Sequence, residues 1–228
     1  MNVRAVAIAL FATASVAAQG LVHDIPHRGA HVYTRTTERF ELQGPPSKLR
    51  ADWLVQDATG DRPQSWRYYA CPANAVPAGF ENPAFDDAAW LVGTGAFAPD
   101  TTQHAQQRTA WGAEVVCLRA RVDFGGKKPK ALWFVIDHDD GVRVWLNGKL
   151  LVADDGYGRS RSYVVMGNAL DAIASNANTL AVKCQNTGGI QYLDVAMAAV
   201  ATLPPGVRTP ADLLRVVRED VEAGDRVR

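Results

Sequence analysis

A chain of 228 residues has room for one domain of ordinary size plus extensions. With 47% hydrophobic and 21% charged residues, its bulk is globular rather than disordered. The 24 Lys and Arg residues balance 24 Asp and Glu, which excludes a net positive field for nucleic acid or an anionic membrane, while a local basic patch stays open.

Residues 1–18 read as a signal peptide. Arg4 supplies the basic residue, Ala5 to Ala17 the apolar run, and small residues allow cleavage after Ala17 or Ala18. The run is shorter than the ~20 residues that cross a bilayer. A secreted or periplasmic product is expected, with no membrane span after cleavage. Residues 19–63 form a lead-in of mixed character. Val32 to Leu42 is compatible with a strand, and Ser47 to Val55 is open between helix and strand. His23, His27 and His31 are spaced four apart, which on a helix would make a metal set. Pro26 and Gly29 argue against a helix, and a solvated N-terminus is the plainer reading.

Residues 64–200 read as the main domain, beginning near Trp66 to Tyr69. Cys71 to Pro83 is a proline-rich loop, and Asp86 and Asp87 are placed to cap a turn before Trp90. Asp100 to Arg108 is polar and reads as an exposed loop. From Val115 to Phe124, alternation puts Val116, Leu118, Ala120, Val122 and Phe124 on one face, with Arg119 and Arg121 on the other. Leu132 to Ile136 is an apolar run suited to a strand buried on both faces. Turn-formers from Asp137 to Gly141 break it. Val142, Val144 and Leu146 then alternate with Arg143 and Trp145. Asn147-Gly148 is a hairpin signal, because a type I′ turn needs positive φ at both central residues. Lys149 to Ala153 is the returning strand. Asp154 to Ser162 is a charged loop holding Tyr157, Tyr163 to Met166 a short strand, and Thr179 to Cys184 and Tyr192 to Val200 the closing strands. This is an all-β pattern. Residues 201–209 form a linker around Pro204-Pro205-Gly206. Residues 210–228 hold a helix with Thr209 as N-cap, Pro210 at its first position and Gly224 as its stop. Its stripe of Leu213, Leu214, Val217 and Val221 needs a partner surface: the main domain, a second copy, or something outside this chain.

The cysteines are Cys71, Cys117 and Cys184, so one bridge and a free thiol are the most a single chain can form. Alternation puts Cys117 opposite the core face and Cys184 on it, which argues against that pairing.

Asp139-Asp140-Gly141-x-x-Val144-Trp145-Leu146-Asn147-Gly148 resembles a segment of galactose-binding-like jelly-roll modules. So do Phe85-Asp86-Asp87-x-x-Trp90, Asn178-Thr179-Leu180-Ala181-Val182 and Asn186-Thr187-Gly188-Gly189. The turn at Asn176-Ala177-Asn178 departs from the family, which carries a glycine there. The resemblance implies an antiparallel β-sandwich of the kind appended to secreted glycoside hydrolases and related extracellular enzymes. A fused or associated hydrolase is the partner it implies. Trp90, Trp111, Trp133 and Trp145 match positions that mostly pack in such modules.

No Gly-x-Ser-x-Gly elbow, His-Glu-x-x-His or Walker loop is present, and Glu81 and Glu114 are the only glutamates of the main domain. Nothing nominates the carboxylate pair a glycosidase needs. The expected role is therefore non-catalytic, with carbohydrate as ligand. Sugars stack C–H faces on aromatic rings and bond their hydroxyls to polar groups. Trp111, Tyr157 and Tyr192 are candidate platforms, with Asp140, Arg159, Asn186 and Gln191 as polar partners. Tyr157, set among glycines and charges, is the one expected to be exposed. No cofactor is expected, although Asp137, Asp139, Asp140, Asp154 and Asp155 could supply oxygens to a structural calcium, or simply make turns. A structural or protein-interaction spacer is the alternative role, and a hydrolase in its own right a third.

Overall fold

The computed structural model describes residues 21–22, 50–99 and 107–225. The signal segment, His23, His27 and His31, the 32–42 segment, residues 100–106 and the Val221 side chain lie outside the described residues. In chain order the strands are β1 (Leu21–Val22), β2 (Arg50–Val55), β3 (Ser65–Cys71), β4 (Leu91–Thr94), β5 (Phe97–Ala98), β6 (Thr109–Ala110), β7 (Val115–Val122), β8 (Ala131–Asp139), β9 (Gly141–Leu146), β10 (Lys149–Asp154), β11 (Gly158–Met166), β12 (Asn178–Gln185) and β13 (Tyr192–Thr202). One helix, α1 (Pro210–Asp225), follows.

These strands form an all-β sandwich. One sheet runs β1-β11-β8-β13-β5-β6, with β2 also on β13; the other runs β10-β9-β12-β7-β3-β4. Pairing is antiparallel except between β5 and β6. The inner faces meet in a core of Leu132, Phe134 and Ile136 from β8, Val142, Val144 and Leu146 from β9, and Val116, Leu118 and Val122 from β7. That is the alternation expected of residues 115–124 and 142–146.

β8 is apolar on both faces because both are covered. Trp133 and Val135 point outward, into a second core with Leu213, Leu214 and Val217 of α1. The helix's partner surface is therefore the sandwich itself. Asp212 serves its N-terminus, accepting from the Arg208 and Thr209 N–H groups at 3.0 and 2.9 Å. Val217→Ala is expected to lower stability by about 1–2 kcal/mol, at ~0.8 kcal/mol per buried methylene plus residual cavity. Urea denaturation followed by tryptophan fluorescence measures this.

Two expectations need correction. Arg159 to Ser162, read as loop, belong to β11. Asp137 to Asp139 are not a turn: β8 runs through Asp139, and the reversal is compressed into Asp140 and Gly141. There the chain changes sheets, so β8 and β9 are stacked rather than hairpin neighbours. Residues 50–55, left open between helix and strand, form β2 against β13, which takes the sandwich upstream of residue 64. Arg119 does lie on the outward face of β7, but it is 1% exposed, because residues 76–90 fold over that face. The Asn147-Gly148 reversal is as expected, with φ of 50° and 82°. Buried Asn178 fixes the 174–178 turn with side-chain bonds: its Oδ1 accepts from Asn147 Nδ2 at 2.7 Å and from the Ala174 N–H at 2.8 Å. Asn147 Oδ1 accepts in turn from the Thr179 N–H at 2.8 Å, tying the hairpin to β12.

All three cysteines are buried free thiols. Cys71 and Cys117 lie beneath the 76–90 cover, whereas Cys184 lies between the sheets. Burial pushes the Cys117 thiol up to about 12.

Candidate functional site

One end of the sandwich gathers most of the candidate residues. The Asp140 N–H donates to the Gln185 carbonyl at 3.0 Å, and the Asn186 N–H to the Glu114 carbonyl at 2.8 Å. Gln191 Nε2 donates to the Ala113 carbonyl at 2.5 Å. The Asp140 carboxylate accepts from the Thr187 N–H at 2.8 Å and from the Thr187 hydroxyl. That hydroxyl is the main reason the Asp140 carboxyl titrates below the usual range. A Cβ on Gly141 would meet the Asp154 carbonyl oxygen at 3.3 Å and the Asp155 Cα at 3.5 Å. The 112–114, 139–141, 154–158 and 186–191 segments thus form one rim.

Beneath this rim the core ends in a polar layer. His138 continues the inward face of β8, and Arg161 and Tyr163 that of β11. Asp154 ends β10 pointing inward. All four are buried. Arg161 Nη1 donates to Asp154 Oδ2 at 2.5 Å, and the Tyr163 hydroxyl donates to the same oxygen at 2.9 Å. The Gly156 N–H donates to Asp154 Oδ1 at 2.9 Å. Burial alone would raise the Asp154 carboxyl, but the Gly156 N–H, Arg161 and the Tyr163 hydroxyl outweigh it and hold it at about 2. His138 Nδ1 donates to the Asp140 carbonyl at 2.6 Å, and its Nε2 lies 2.6 Å from the Tyr163 hydroxyl. Burial keeps the imidazole below its ordinary value. Sequence reading missed this layer. The signal was His138, a polar residue in phase with Leu132, Phe134 and Ile136.

The proposed sugar contacts divide sharply. Tyr157 is 68% exposed, as expected, and Arg159 beside it is exposed as well. Asp140 and Asn186 are half-buried on the rim. Trp111 and Tyr192 are corrected: neither offers a ring face. Trp111 is 1% exposed in the inter-sheet core beside Phe97 and Trp66, held there by its backbone N–H bond to the Ala98 carbonyl at 2.8 Å. Tyr192 is buried against Ala58, Ala96 and Ala98. Gln191 is also buried, with its amide committed to Ala113. Ile190, which sequence reading passed over, is exposed on the same rim.

The five aspartates considered for calcium are committed to different partners. Asp137 accepts from the Ser160 N–H, Asp140 from Thr187, Asp154 from the buried layer, and Asp155 pairs with Arg143. The Asp139 carboxyl is pushed up to about 6 by burial and by neighbouring Asp140. Among the described residues no three His, Cys, Asp or Glu side chains converge on a cation position. Alternation explains this, since Asp137 points outward from β8 while Asp154 points between the sheets.

A second pair was not anticipated. Asp194 of β13 sits opposite Asp137 of β8 on the outward face of their sheet. Its Oδ2 accepts from the Ala58 N–H at 2.9 Å. Burial, with Asp57 and Asp137 nearby, pushes the Asp194 carboxyl up to about 8. Burial raises Asp137 too. Neighbouring strands set such side chains ~5 Å apart at Cβ. Gly95 and the backbone at Ala58 close over Asp194, so the pair does not face each other across an open cleft.

No protein-family model and no curated protein sequence matches the chain. Solved structures do resemble it. A β-glucuronidase 2 from Bacteroides uniformis superposes with a TM-score of 0.48 at 15% identity, over 66% of this chain and 18% of that one. A β-glucuronidase from Bifidobacterium dentium gives 0.47 at 13%, over 69% and 31%. One from Ruminococcus gnavus gives 0.46 at 13%, over 71% and 31%. The chain thus spans between 18% and 31% of the length of these structures.

Proposed function

We propose that this chain is a non-catalytic accessory module of an extracellular hydrolase and binds carbohydrate on the rim formed by residues 139–141, 154–159 and 186–191. The observation that carries the reading is Tyr157. It stands 68% exposed between Gly156 and Gly158, with exposed Asp155 on one side and exposed Arg159 on the other. An aromatic face beside charged and amide groups is what a pyranose needs, its C–H face on the ring and its hydroxyls on the polar neighbours. The signal-peptide pattern and the motif resemblance support an exported partner of a hydrolase. Affinity electrophoresis through gels containing mixed-linkage β-glucan, arabinoxylan or galactomannan tests the reading. Retardation in at least one gel is expected, and Tyr157→Ala should weaken it about tenfold, within the ~1–3 kcal/mol typical of a stacked ring by analogy with base stacking. Free migration in all three would count against it.

A second reading, docking to a protein domain, is favoured by the β3–β4 edge. Leu91 and Val92 are 63% and 61% exposed there, next to part-exposed Tyr69. An apolar strand edge of this kind marks contact surfaces. Loss of association with a co-expressed hydrolase domain on Val92→Lys, with sugar retention unchanged, would support it.

A further inference from the structure

We propose that Asp154 is the positioning residue of the aromatic platform: its carboxylate holds the 155–158 loop so that the Tyr157 ring is presented to solvent in one orientation. This rests on the carbohydrate reading above and goes beyond it, since Asp154 lies beneath the rim and touches no ligand.

The geometry of the loop carries the inference. The carboxylate joins three pieces of chain. It belongs to β10, accepts the Gly156 N–H at 2.9 Å from the loop, and accepts Arg161 at 2.5 Å and Tyr163 at 2.9 Å from β11. The other end of the loop is fixed by contact, because a Cβ on Gly158 would sit 2.6 Å from His138 Nε2 and 3.0 Å from Arg161 Cβ. Arg143 adds an outer strap: its Nη1 donates to the Asp154 carbonyl at 2.7 Å, and its Nη2 pairs with Asp155. Tyr157 is thus the free apex of a loop clamped on both sides, and nothing in the core requires its ring to be outside.

The chemistry of the clamp points the same way. The Asp154–Arg161 pair has side-chain exposures of 3% and 8%. A buried ion pair is a poor source of stability, since well-packed apolar side chains of similar volume often serve as well or better. Val142 and Val152 show that this end of the core accepts apolar residues. What the pair does supply is a single directional arrangement, and a binding loop ordered in advance loses less freedom when its ligand arrives.

The test compares Asp154→Asn, Gly158→Ala, Tyr157→Ala and the Asp154→Asn/Tyr157→Ala double variant. Hydrogen exchange is measured on the ligand-free proteins, and retention in the same three polysaccharide gels. Asp154→Asn is expected to speed exchange of the 156–160 amides at least tenfold while β7 and β12 amides keep their rates. It should also weaken retention about tenfold. The double variant should be no weaker than Tyr157→Ala alone, a coupling that general destabilisation would not produce. Gly158→Ala, which disturbs the loop without removing the carboxylate, should reproduce both effects and stands in if Asp154→Asn does not fold. Unchanged exchange at 156–160, or losses that multiply in the double variant, overturns the proposal. If wild-type protein binds none of the gels, the carbohydrate reading falls, and the exchange rates alone decide whether Asp154 positions the loop.

Discussion

Replacing Arg119 with methionine is expected to cost about 3–5 kcal/mol of folding stability, the range for removing one partner of a buried charge pair. Arg119 is the hub of the outer layer on the six-stranded sheet. Its Nε donates to Asp87 Oδ2 at 2.6 Å. Its Nη1 donates to the carbonyls of Phe80 and Asn82, the latter at 2.9 Å, and its Nη2 to that of Phe85 at 3.3 Å. The guanidinium also lies 5.4 Å from the centre of the Phe85 ring. One planar fork therefore satisfies the backbone of a loop that has no sheet to bond to. Methionine keeps the volume but leaves three carbonyls and the Asp87 carboxylate without their donor. Unsatisfied buried groups cost ~1–3 kcal/mol each, and partial water access at Asp87 keeps the total within the stated range. Lysine is not expected to rescue the loss, because its point charge cannot reach the same set of acceptors in one geometry. Urea denaturation gives the size of the effect. Proteolysis should then cut first within residues 76–90, since Phe80, Phe85 and Trp90 pack on Cys117 and Ala181 only while that loop is closed. A loss under about 1 kcal/mol would mean that the layer is held by its aromatic packing instead.

Arg119 also shows where sequence reading stops. Period-two alternation places side chains on one face or the other, and it placed Val116, Leu118 and Val122 correctly in the core. It cannot tell an outward face left to water from one covered later by a loop. The same limit applies to Trp133 and Val135, although there the unbroken apolar run announced a second cover and α1 provides it. Local signals were the most legible. Asn147-Gly148 makes its turn because the conformation it needs is written in those two residues. Sheet membership was not legible, because the crossing at Asp140-Gly141 looks like a hairpin turn in sequence and depends on which partners β8 and β9 find. The rim was half legible. Glycines and charges around Tyr157 marked an exposed aromatic, whereas Trp111 and Tyr192 sit at strand ends where sequence alone does not separate a ring turned inward from one turned out. The acidic pair of β8 and β13 escaped notice because its members lie far apart in the chain. Asp194 within the apolar run Tyr192 to Val200 was the trace it left.

That pair should govern how stability varies with pH. In the folded protein the Asp194 carboxyl titrates at about 8, whereas an unfolded aspartate titrates near ~4. Between those values the unfolded chain carries the ionised side chain and the folded protein holds the proton. Folding therefore takes up a proton, and stability falls as pH rises through this window, by at most ~1.4 kcal/mol per pH unit. Asp154 acts in the opposite sense on the acid side. Held at about 2 when folded, it contributes stability that is present above ~4 and lost as pH falls through its folded value. His138, whose imidazole burial keeps below its ordinary value, adds stability as pH rises toward ~6.5 and offsets part of the Asp194 slope there. Asp194→Asn should flatten the decline between pH 5 and 8, because its amide oxygen can still accept the Ala58 N–H while no proton is exchanged. Asp137, raised by the same burial, titrates jointly with its neighbour, so Asp137→Asn should remove a smaller part of the slope. Urea midpoints taken at unit steps from pH 4 to pH 8 for the three proteins decide the matter. A variant lacking Asp194 that keeps the full wild-type slope would show that the carboxyl ionises freely in the folded protein, and that the cover formed by Gly95 and the 57–60 segment admits water.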